Sequence, residues 1–167
     1  MTPSEFLQVF FFAASPIAEL RGAIPYGLWK LQLSWPLVLA VSIAGNILPI
    51  PFLLLLLGPI SRLASRVKLF DSILKWIFER SRRRGKNLDR AEFWGLALFV
   101  GIPLPVTGAW TGSIVAFLLG MNFWRAFFAI ALGVLIAAAI VTPVAVLLHY
   151  AFFVHLPLVP TNTLAPP

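Results

Sequence analysis

Two stretches of the chain are apolar for long enough to cross a bilayer, and two others are apolar only in halves. Residues 35–61 and 123–154 carry a single Lys or Arg between them, Arg125, and no acid. At 1.5 Å per residue each exceeds a hydrocarbon core of about 30 Å. They predict two long transmembrane helices. Residues 6–15 and 93–102, by contrast, are short apolar runs, each followed by a Pro- and Gly-bearing stretch and then a second short apolar run. Helices of that length cannot span alone, and irregular backbone at membrane depth is tolerated only where protein or a water-filled cavity surrounds it. The pattern therefore predicts residues 6–33 and 93–121 as re-entrant helical hairpins that shelter one another. A single Pro-kinked helix in each place is the alternative, since Pro is common in transmembrane helices.

The halves repeat. Gly22-Ala23, Gly27, Ser34-Trp35 and Gly45 in the first are answered by Gly108-Ala109, Gly112, Asn122-Phe123 and Gly133 in the second, with a shift of 86 residues at the first Gly and 88 at the last. Paired interrupted segments at corresponding positions point to a transporter site between inverted repeats. The expected organisation is one all-α membrane domain over 1–156: repeat one at 4–61, a linker at 62–92 and repeat two at 93–154, with 157–167 read as a disordered tail.

Composition agrees with a bilayer as solvent. Of 167 residues 60% are hydrophobic and 11% charged, with a mean hydropathy of +0.92, against about 45–50% and 25% in a globular domain. The net charge of +7 is local: ten of the thirteen Lys and Arg lie between Arg62 and Arg90, and the segment 62–92 carries +6 after its four acids. That is a topological signal, placing the linker in the cytoplasm near anionic lipid, with both termini outside. Within it Phe70, Ile73, Leu74 and Ile77 follow helical spacing, the pattern of an amphipathic interfacial helix, and the run Arg82 to Lys86 is expected on lipid head groups. No nucleic-acid recognition fold accompanies the charges. Met1 to Gln8 contains no Lys or Arg, so a cleaved signal peptide is not expected. Cysteine is absent, and His149 and His155 have no acid beside them, so no metal, cofactor or enzymatic constellation is expected.

Glu19 and Arg21 are the ionisable pair inside the apolar first half, in the string Glu19-Leu20-Arg21-Gly22-Ala23-Ile24-Pro25. Each such group costs at least ~2.5–3.5 kcal/mol at membrane depth, so pairs of this kind face cavities and carry function. An extended stretch between Pro16 and Pro25 would turn both side chains to one side, Glu19 to exchange a proton and Arg21 to bind a phosphate or carboxylate. A buried ion pair that holds the turn is the alternative. The second half offers Pro103, Pro105, Thr107, Gly108, Trp110 and Thr111, with Ser113. These are hydroxyls, small residues and an indole that would complete a polar site opposite the first, or form a close-packed turn. Asn46 reads as an interhelical hydrogen bond, and Gly45, Gly133 and Ala137 to Ala139 as small residues for a homodimer contact.

The strings around Glu19, Gly45-Asn46-Ile47-Leu48-Pro49-Ile50-Pro51, and Pro103 to Gly112 resemble the small multi-drug export protein family of prokaryotic membrane proteins, over about residues 8–150. The resemblance implies a multi-pass protein of the prokaryotic plasma membrane. A more distant similarity to the DedA (SNARE-associated, VTT) superfamily implies re-entrant-hairpin transporters or scramblases of lipids. Its first-hairpin acid is matched by Glu19, while Thr107, Trp110 and Thr111 stand where its second hairpin usually carries arginines. The expectation is thus a small transporter or lipid flippase, open to proton coupling, among membrane lipids and with an amphiphilic or anionic substrate. The competing expectation is a non-transporting membrane scaffold.

Overall fold

The computed structural model describes residues 2–64, 86–104 and 107–154. The amphipathic helix expected around 70–77, residues 82–85 of the basic run, Pro105 and the tail from 157 lie outside them. The described elements are helical.

Helix α1 (Pro3–Ala14) opens on a capping box: the Thr2 hydroxyl accepts the Glu5 N–H at 3.3 Å and the Glu5 carboxylate accepts the Thr2 N–H at 2.7 Å. It stops because Pro16 forces Ser15 out of the helical region, to φ −72° and ψ 146°. The Ser15 hydroxyl then accepts the Ala18 N–H at 3.2 Å and starts the chain back as α2 (Glu19–Pro25). Pro25 has no N–H for the carbonyl four residues earlier, and the helix widens at that point into a π-helical turn, Tyr26–Lys30. The Tyr26 hydroxyl donates to Gln8 Oε1 at 2.9 Å and its ring lies 4.9 Å from that of Phe12, so α1 and α2 form a helical hairpin.

Helix α3 (Trp35–Ile47) is separated from α4 (Pro49–Ala64) by Leu48 alone. Two prolines, Pro49 and Pro51, remove successive donors there and break the ladder without ending the element. Trp35–Pro59 is long and apolar enough to cross a membrane, as is Phe123–Phe152. The second of these is α7 (Phe123–His149) with its π-helical continuation Tyr150–Val154. Between the two lie α5 (Lys86–Gly101) and α6 (Ala109–Leu118), parted by a break before Gly108. The two long elements read from hydropathy are therefore present, and each interrupted segment is a pair of short helices.

Each long helix takes the backbone of a short one at a glycine. A Cβ on Gly45 would sit 2.4 Å from the Phe10 carbonyl oxygen of α1, and one on Gly133 would sit 2.7 Å from the Ala97 carbonyl oxygen of α5. Both glycines, expected as dimer contacts, are thus covered from within the chain, and Ala137 and Ala138 are buried as well. α5 and α7 run parallel, held at their starts by the Arg125–Asp89 ion pair at 2.5 Å and further along by Val100 against Gly133 and Gly101 against Ile136. Large apolar side chains such as Phe11, Phe52, Trp124 and Leu147 point outward, the surface that hydrocarbon rather than water would cover.

Candidate functional site

The break between α5 and α6 leaves the last carbonyls of one helix and the first N–H groups of the other without intrahelical partners. In hydrocarbon each unmet group costs several kcal/mol. The partners come from α2. Arg21 lays its guanidinium on the carbonyl end: Nη2 donates to Val100 O at 3.1 Å and to Ile102 O at 3.2 Å, Nη2 also reaches Thr107 O, and Nη1 donates to Leu104 O. Two residues earlier Glu19, buried at 7% exposure, sets its carboxylate on the start of α6, where Oε1 accepts the Trp110 N–H at 3.4 Å. A cation on a helix C-terminus and an anion on an N-terminus are the arrangement that the two macrodipoles favour, each contact contributing about 0.3–1 kcal/mol and up to ~2 when partly buried.

The exchange is reciprocal. The Trp110 indole Nε1 donates to the carbonyl of Ala14, the last residue of α1, at 3.1 Å. Each broken pair therefore supplies side chains that close the other's broken end. Gly108 makes this possible, because a Cβ there would lie 1.6 Å from Glu19 Oε2.

Local conformation differs from the extended stretch expected between Pro16 and Pro25. Glu19 to Pro25 is helical, with Glu19 itself in the left-handed region at φ 50°. Residues two apart on a helix point away from one another, and Arg21 accordingly reaches the carbonyls of the opposite segment, not the Glu19 carboxylate. A helix could form here because Pro25 sits at its end, where a missing donor interrupts only the last turn.

The hydroxyls of the second segment serve their own backbone. Thr107 Oγ1 lies 2.9 Å from Ile102 O and 3.0 Å from Leu104 O, and also accepts from Arg21 Nη2 at 3.3 Å. Thr111 Oγ1 accepts the Gly108 N–H at 2.8 Å, and Ser113 Oγ donates to Ala109 O at 2.8 Å. Pro25 and Pro103 meet elsewhere: with Trp29 and the α7 residues Ile140, Val141 and Val144 they line an apolar pocket of about 200 Å³. Trp29 is fixed there by donating from Nε1 to Ala145 O at 3.1 Å. Asn46, expected to bond across helices, is wholly buried, and neither of its side-chain polar atoms has a partner among the described residues. Sequence reasoning missed the capping role of Arg21. The signal was the break itself, since a Pro- and Gly-rich interruption at membrane depth requires donors from somewhere.

Two apolar helices long enough to cross a membrane, an outward apolar surface, and a buried acid near a half-buried arginine at broken helix ends mark a small helical membrane protein. A family model described as "Putative small multi-drug export protein" matches residues 19–140. The chain belongs to that family. No curated protein and no solved structure matches it.

Proposed function

We propose that this protein is a small membrane exporter in which α1–α2 and α5–α6 are re-entrant hairpins of two inverted repeats, entering from opposite faces and meeting at mid-depth. The observation that carries the reading is the reciprocal closure of broken helix ends: Arg21 and Glu19 on the α5–α6 break, and Trp110 on the end of α1. Depth supports it. From Arg125, tied to Asp89 on α5, to Ala145, tied to Trp29 behind α2, α7 rises about 30 Å, the thickness of a hydrocarbon core. From Asp89 to Gly101 α5 rises about 18 Å, little more than half of it. The matched approaches at Gly45 and Gly133 keep the 88-residue shift of the repeat.

The mechanism follows from what holds the tips. A proton arriving on Glu19 removes the negative charge that the α6 N-terminus favours, weakens the Trp110 N–H contact and frees one hairpin tip to move. An anionic group on the substrate competes for the Arg21 donors, and an apolar part fits the pocket beside Pro25, Trp29 and Pro103. Alternating exposure of that space to the two faces would move an amphiphile outward. The distant likeness to lipid-moving DedA proteins makes anionic lipid a second substrate to try.

Purified protein in proteoliposomes, given an imposed proton gradient and either a fluorescent amphiphilic anion or a labelled anionic lipid, tests the reading. Wild type moves one of them, and Glu19→Gln, whose amide still accepts a hydrogen bond, loses at least tenfold in rate while melting within a few degrees of wild type. A wild type that moves neither under any gradient overturns the proposal in favour of a non-transporting scaffold.

A further inference from the structure

The interior of the bundle holds polar atoms on α3 that no group among the described residues meets. Among the described residues Ser42 Oγ, Asn46 Nδ2 and Asn46 Oδ1 have no hydrogen-bond partner, and both residues are wholly buried. Leaving a buried donor or acceptor unmet costs about 1–3 kcal/mol. Asn46 brings two donors and an acceptor to the same spot. The two residues stand four apart on one face of a helix, so the hydroxyl and the amide are neighbours. Three residues beyond Asn46, Pro49 withholds the N–H that the Gly45 carbonyl would meet in an unbroken helix.

Depth is fixed by the residue beside it. A Cβ on Gly45 would lie 3.0 Å from the Cβ of Ala13, and the next residue of α1, Ala14, accepts the Trp110 indole. Asn46 therefore lies near the level where the two helix pairs meet. A metal cation would satisfy the oxygens and leave the amide hydrogens unmet, and an apolar group would satisfy neither. Water donates and accepts, and internal water commonly makes about three hydrogen bonds to such groups.

We infer that the Ser42–Asn46 face of α3 is a buried hydration site, holding at least one ordered water at the depth of the junction between the two helix pairs. It gives the protein a second polar locus inside the bundle, on a different helix from Glu19 and Arg21. The inference does not depend on Glu19 exchanging a proton or on transport.

The full chain, reconstituted in lipid nanodiscs and labelled with ¹⁵N at its four asparagines, reports on the site through side-chain amide resonances. Asn46→Leu identifies the Asn46 pair by its disappearance, and Asn46→Gln does so if the leucine variant fails to fold. The Asn46 amide protons of wild type are expected to show a cross-peak to water that survives lipid deuteration. Ser42→Ala is expected to reduce that cross-peak at least twofold. An Asn46 resonance that is observed without any water cross-peak overturns the inference, whatever the transport assay returns.

Discussion

Glu19 is the residue on which most of the geometry converges. A side chain at φ 50° costs roughly 1–2 kcal/mol relative to the right-handed region, and the opposing N-terminus of α6 offsets that strain by donating the Trp110 N–H to the carboxylate. Gly108 is the other half of the contact. In Gly108→Ala the new methyl would overlap the carboxylate, and the variant is expected to lose about 1–3 kcal/mol. In a Glu19→Ala background the overlapping carboxylate is gone, and the same change is expected to cost less than ~1 kcal/mol. Thermal unfolding of the four proteins in detergent checks this: a coupling energy indistinguishable from zero would show that Glu19 does not rest on Gly108. The chemistry of this site was legible as residue types, since an acid and an Arg in an apolar half announce themselves. Their partners were not, because Val100, Ile102, Leu104 and Trp110 contribute backbone groups that any residue possesses.

Helices followed from the hydropathy pattern wherever length or proline decided the matter. Pro16 ended α1 and Pro49 with Pro51 broke α3 from α4, each through a missing donor or a restricted neighbour. The region between Pro16 and Pro25 went the other way, to helix, because proline tolerates the end of a helix better than the pattern of two bracketing prolines suggests. How helices approach one another depends on volume. Gly133→Ala would set a methyl 2.7 Å from the Ala97 carbonyl oxygen and is expected to destabilise by about 1–3 kcal/mol. Gly95→Ala, on the adjoining helix with nothing within 4 Å of the new methyl, is expected to be neutral or to stabilise by up to ~1 kcal/mol through helix propensity. Melting temperatures of the two variants read the contrast, and equal losses would mean that α5 and α7 are not in contact at Gly133.

Across the whole molecule, the proposed inverted arrangement puts the open ends of the two helix pairs on opposite faces of the membrane. The chain has no cysteine, so single substitutions can be read without background. Ser34→Cys, before α3, and Asn122→Cys, before α7, are expected to react with a membrane-impermeant maleimide from opposite sides of right-side-out and inverted vesicles. Labelling of both from one side would remove the inverted repeats and leave the two apolar helices standing. Apolar length and the clustering of charge are additive properties of the chain, so the sequence by itself determined a membrane class, two helices long and apolar enough to cross a bilayer, and two interrupted pairs. Which carbonyls Arg21 meets, why Gly108 has no side chain, and that Asn46 finds no partner among the described residues were decided only in three dimensions. Those facts depend on groups 79 or more residues apart, or on neighbours across an interface, and no local pattern records where a folded chain will bring them.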